Sequence, residues 1–163
     1  KVVSNQVTEG NATVSIVFKD LSSNGGQTVT SVTDSSVVTI DLTPPTLRVV
    51  SIVSDNTADT ARANSGDTIT LSFTSSEPIT TPTVSIAGRS VAPTFANSSW
   101  SAQYTVVANQ VTEGSAAISV AFRDLASNPG TTKTAVTDGS AVTIDLTPIS
   151  LALTTGAVVC RSP

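Results

Sequence analysis

The chain has no histidine, and its 163 residues hold one cysteine, one tryptophan and one tyrosine. Without histidine there is no His-based triad and no His metal ligand. The lone Cys160 cannot build an internal disulfide framework. It reads as a small hydrophobe or a free thiol, with an intermolecular disulfide as the sharper alternative. Charge is scarce too: 12% of residues are charged and 4% are aromatic, where common globular domains carry about 25% charge. The eight Lys and Arg are scattered among twelve Asp and Glu, for a net charge of −4. With no basic stripe, nucleic acid is not an expected partner. No run of about 18 apolar residues occurs, so no membrane insertion is expected. Many serines are present, but no G-x-S-x-G elbow and no histidine to activate one, so no enzyme activity is expected.

Ser, Thr, Val and Ala take the place of charge and bulk. A hydroxyl-rich surface stays soluble without ions, which suits secreted and sugar-decorated proteins and points to the extracellular space or a cell surface. The arrangement is repetitive. "NQVTEG" occurs at Asn5–Gly10 and again at Asn109–Gly114, 104 positions apart. At that offset residues 1–44 align with 105–148 without a gap, and about two thirds of the positions are identical. Repeats of this length signal modular arrays. Residues 1–42 therefore read as the C-terminal half of one repeat and 43–146 as a complete one. Residues 147–163 read as a linker and the first strand of a following repeat, or as a strand to be donated.

Alternation with period two runs through both copies, and no stretch keeps a helical stripe. Ile69, Leu71 and Phe73 share a face in "TITLSF", as do Ile118, Val120 and Phe122 in "ISVAF". Trp100, Ala102, Tyr104 and Val106 form another such row, and Val84 with Ile86, and Val142 with Ile144, continue the pattern. Turn residues punctuate these runs at Gly66-Asp67, Glu77-Pro78, Gly88, Asn97-Ser98 and Asn128-Pro129-Gly130. Pro93 inside "SVAPTF" marks an edge strand or a bulge. The expected fold is all-β: immunoglobulin-like β-sandwich repeats in tandem.

At this point the sequence resembles a known family. "GDTITLSFTSSEPITTPTVSIAG", "SSWSAQYTV", "VAFRDLASNPG" and the "DLTPP" end are similar to the bacterial Ig-like repeats of large adhesin, biofilm and surface-fibril proteins. The resemblance spans essentially the whole chain and implies a spacer module. It departs from the pattern at Ile149, where the second proline of "TPP" is lost.

Acidic residues recur in both copies: Glu9 with Glu113, Asp20 with Asp124, and Asp41 with Asp145. Glu113, Asp124 and Asp145 are calcium candidates if they converge, since that ion takes about 6–8 oxygen ligands. The plainer reading is solvated turn and strand-end acids, with Asp124 bonding nearby loop amides. No other cofactor is expected. Asn11 and Asn97 head N-x-Ser/Thr triplets beside expected turns and are glycosylation candidates. Trp100 and Tyr104 could stack on sugar rings, but their shared face with Ala102 and Val106 makes them core.

The head exposes strand edges that a half-module cannot cover alone. The tail "ISLALTTGAVV" alternates like an extra strand, making Leu151, Leu153, Val158 and Val159 assembly candidates. The expected function is a structural module of an extracellular, glycosylated fibre or surface filament, assembling head-to-tail. Its partners are neighbouring copies and covalent glycans. The alternative is an adhesin module that binds glycans or partner proteins through loops at a sandwich end.

Overall fold

The computed structural model describes residues 7–150. Leu151, Leu153, Val158 and Val159 lie outside the described residues. Among those described, every regular element is a strand. They are β1 (Gly10–Asn11), β2 (Thr39–Ile40), β3 (Leu47–Ser54), β4 (Arg62–Ala63), β5 (Thr68–Ser75) and β6 (Thr83–Ile86). Then follow β7 (Arg89–Val91), β8 (Pro93–Ala96), β9 (Ser99–Thr105), β10 (Gly114–Ser115), β11 (Ile118–Ala121) and β12 (Thr143–Ile144). No helix here is long and apolar enough to cross a membrane.

The longest sheet runs β3-β5-β9-β8, all antiparallel. A second runs β11-β6-β7, and a third joins β10, β12 and β4, the last pair parallel. The alternating rows read from the sequence meet in one core. Ile69, Leu71 and Phe73 from β5, Trp100, Ala102 and Tyr104 from β9, Val84 and Ile86 from β6, and Val120 from β11 are all buried in it. Phe73 lies roughly parallel to Trp100, 12° between their planes. Two apolar faces closing on one core are consistent with a β-sandwich.

The stretch "SVAPTF" is two elements, not one edge strand. β7 pairs with β6 through Val84↔Val91, whereas β8 pairs with β9 through Pro93↔Ala102. The chain thus changes sheets at Ala92–Pro93. Proline, which has no amide hydrogen to donate, opens an edge strand there. Two tight hairpins flank this crossing. Ala87-Gly88 and Asn97-Ser98 both take positive φ at successive residues, as a type I′ turn requires.

Residues 10–43 repeat the ladder of residues 114–147. Gly10↔Ile40 and Asn11↔Thr39 match Gly114↔Ile144 and Ser115↔Thr143. The bridges Ile16↔Val29 and Lys19↔Gly25 match Val120↔Lys133 and Arg123↔Pro129. Gly10 and Gly114 adopt φ of 119° and 120°, a region that a side chain opposes. Between residues 10 and 40 the head pairs only through isolated bridges and this two-residue ladder. No strand lies on its other side among the described residues.

Candidate functional site

The loop "RDLASN" folds around Asp124. Its Oδ1 accepts the Asn128 amide at 2.8 Å, and its Oδ2 accepts Nδ2 of Asn128 at 2.8 Å. The turn closes by an Asp124 amide to Asn128 carbonyl bond of 3.2 Å, with Ser127 at φ 74°. Asp124 is only 1% exposed, and its cover comes from two directions. The bridge Ile79↔Asp124 and the Thr80 amide, which donates to the Arg123 carbonyl at 2.9 Å, bring in Glu77 of the "SEPI" segment. From the head, the main-chain carbonyl of Asp41 accepts the same Asn128 Nδ2 at 3.0 Å.

The outcome is a cluster of three carboxylates, Asp41, Glu77 and Asp124, with ligand oxygens all within 4.8 Å of one another. Burial pushes the Glu77 carboxyl above its ordinary range. The negative charges of Asp41, Asp124 and Glu9 push it further in the same direction. These are the residues that could hold a hard cation such as Ca²⁺. Both Asp124 oxygens are already engaged by Asn128, so three side chains fall short of the about 6–8 ligands that ion takes. Main-chain carbonyls or water would have to supply the rest.

The candidate set read from the sequence is divided by the structure. Asp124 belongs to this cluster, whereas Glu113 and Asp145 do not. Glu113 accepts the Leu146 amide at 2.7 Å and the Thr147 hydroxyl at 2.6 Å, fastening the connector that leaves β12. The Thr147 hydroxyl, and next the Leu146 amide, hold its carboxyl below the usual glutamate range. Asp145 accepts the Thr147 amide at 3.2 Å. The head repeats the fastening with Glu9, whose Oε2 accepts the Thr43 hydroxyl at 2.8 Å. That candidate set missed two members of the cluster: Asp41, noted only as a recurring acid, and Glu77. Glu77 recurs in neither half of the 104-residue alignment, and its only cue was its place in "SEPI" beside a turn.

The connector between head and module is also pinned. Pro45 is fully buried, and Thr46 exchanges two bonds with Ser76: its amide donates to the Ser76 Oγ at 2.9 Å, and its carbonyl accepts the Ser76 amide at 2.8 Å.

The remaining candidates fall at separate places. Asn11 is exposed on β1, with the Thr39 hydroxyl donating to its Oδ1 at 3.4 Å. Asn97 is exposed at the apex of the β8–β9 hairpin. Trp100 and Tyr104 are buried. Beside them Phe95 is 60% exposed and leans on Trp100 with ring centroids 5.0 Å apart. A cleft of about 610 Å³ runs past Phe95, Trp100, Thr80, Thr81, Ser98 and Glu77. Another, of about 550 Å³, lies between the Asp59–Arg62 turn and the outgoing connector Asp145–Pro148. Comparison with family models, curated proteins and solved structures finds no match.

Proposed function

We propose that the chain is a structural module: an immunoglobulin-like repeat of an extracellular, glycosylated fibre or surface filament that assembles head-to-tail. Strand order supports the immunoglobulin-like reading. With β3 and β4 as one split first strand, β7 and β8 as one split fourth strand that changes sheets, and β10 and β11 as one split sixth strand, the long sheet has the order first, second, fifth, fourth. The opposing strands are the third, sixth and seventh. Constant-type immunoglobulin sandwiches group their strands in the same way, and β7 extends the opposing sheet beyond that grouping.

The observation that carries the mechanical reading is the pinned connector. Asn128 bonds the Asp41 carbonyl, Pro45 is buried, and Thr46 is clamped to Ser76. Prolines at 44 and 45 restrict their own φ and bias Thr43 towards extended geometry. A joint so held transmits orientation from one unit to the next. Small-angle scattering on chains carrying two, three and four copies of residues 43–146 tests this. The maximum dimension should grow linearly with copy number. Growth as the square root would mean freely jointed units and would remove the stiff-spacer reading. Treatment with an N-glycosidase of the protein from its native source should lower its mass at Asn11 or Asn97.

Exposed Phe95 favours a second reading, an adhesin module that stacks a sugar on this ring. Thr80, Thr81 and Ser98 line the same cleft. A glycan-array signal lost on Phe95→Ala would favour it over a passive spacer.

A further inference from the structure

Residues 7–43 hold the backbone of a half-module, but their inward face is bare. Ile16 is 53% exposed, Phe18 51% and Val38 68%; their counterparts Val120, Phe122 and Val142 are 0%, 6% and 1% exposed. In the complete module that face is covered by side chains of β3, β5, β6 and β9, among them Val50, Leu71, Phe73 and Ile86. Two backbone edges are satisfied there as well. β11 pairs with β6 from Ile118↔Ile86 to Ala121↔Thr83, and β12 pairs in parallel with β4 through Thr143↔Arg62 and Ile144↔Ala63. The corresponding edges of Val14–Val17 and of β2 have no strand beside them among the described residues.

The polar fittings are kept too. In the module the Val50 amide donates to the Thr137 hydroxyl and the Ile52 amide to the Ser140 hydroxyl, both at 2.9 Å. The head has Thr33 and Ser36 at the same repeat positions. We propose that the bare face of residues 7–43 is a docking surface for the front half of a like module, a polypeptide with the pattern of residues 45–106. This deepens the reading as a repeat module and rests on it.

A single donated strand does not meet the same requirements. At the 104-residue offset the tail from Ile149 onward falls on the positions of residues 45–59, though only Leu151 is identical to its counterpart, Leu47; in the module those positions are β3 and the turn after it. Such a strand can reach the counterparts of Thr137 and Ser140. The edges that β6 and β4 satisfy would stay open, and so would most of the apolar face. Only the longer segment supplies both edges and the hydrophobic cover.

The test supplies that segment. A copy of residues 45–104 is joined ahead of Lys1 of the full chain, which keeps the repeat in register. Hydrogen exchange is then read at the Ile16 and Val29 amides, with Val120 and Lys133 as internal references. Protection at Ile16 and Val29 should rise by about a thousandfold or more, towards the reference pair. The same addition carrying Leu71→Asp and Ile86→Asp in the added copy should give no rise. Unchanged exchange in the unsubstituted fusion overturns the proposal. So does protection in the unfused chain that grows with concentration and disappears when residues 150–163 are removed, because the tail would then be the occupant. Either result leaves the references protected and the scattering dimension of multi-copy chains untouched, so failure here is separable from failure of the spacer reading.

Discussion

Residues 7–43 and 111–147, identical at about two thirds of their positions, sit in two environments. Their internal backbone hydrogen bonds match one for one: Gly26 to Phe18 at 2.9 Å against Gly130 to Phe122 at 3.1 Å, Ala12 to Val38 and Ala116 to Val142 both at 2.8 Å. What differs is burial. The loop acid Asp20 accepts bonds from Ser22 and Asn24 on an exposed surface, while Asp124 makes the equivalent Asn128 bonds in near-complete burial. Local sequence thus specifies turns and register, because these depend on φ preferences and short-range bonds. Burial, and with it most of the stability, comes from the opposing half.

The sharpest way to break this parallel is to delete the same ring twice. Phe122→Ala should cost the module about 3–5 kcal/mol, whereas Phe18→Ala should stay within about 0.5 kcal/mol. Denaturant unfolding of the full chain measures both. An equal loss for Phe18 would mean that its face is covered in solution.

A gentler version adds a methyl group instead. A Cβ at Gly130 would meet the Phe122 ring, and one at Gly26 would meet the Phe18 ring. Phe122 is wedged in the core, so Gly130→Ala should cost about 1–3 kcal/mol through overpacking. The Phe18 ring can swing into solvent, so Gly26→Ala should shift the midpoint little, by at most about 0.5 kcal/mol.

Smaller effects follow pH. The raised pKa of Glu77 means that the folded state holds this proton more tightly than the unfolded one. Folding therefore loses stability as pH rises from the ordinary glutamate range through the raised folded value. Glu77→Gln should flatten that part of the profile, read as thermal midpoint against pH. Glu113 has the opposite sign. Its lowered pKa gives a contribution present above the ordinary value and lost as pH falls through the folded one. Exchange at the Leu146 amide should accelerate in that acidic range, and in Glu113→Gln the acidic acceleration should be absent.

Much of this was legible in the residues. The alternating rows through Ile69–Phe73, Trp100–Val106 and Ile118–Phe122 locate the core, since a period of two admits one buried face. Gly10 and Gly114 announce their corner. The sheet change at Ala92–Pro93 was not legible, because a proline in a strand marks an edge without saying of which sheet. The acid cluster was not legible either: Asp41, Glu77 and Asp124 are far apart in the chain, and only the connector's course brings them together. Nothing local distinguishes Asp124, which joins the cluster, from Asp145, which lies outside it.

The parallel contact of β4 with β12 has a mechanical consequence. Ala61 and Ala63 offer their carbonyls to the Thr143 and Asp145 amides, each at 2.9 Å. A pull on the two ends of the module that works past β3 reaches β4 and β12 in opposite directions along parallel strands. The load falls on both bonds together as shear, rather than peeling one after the other, so they must rupture as a pair before the sandwich can be drawn open.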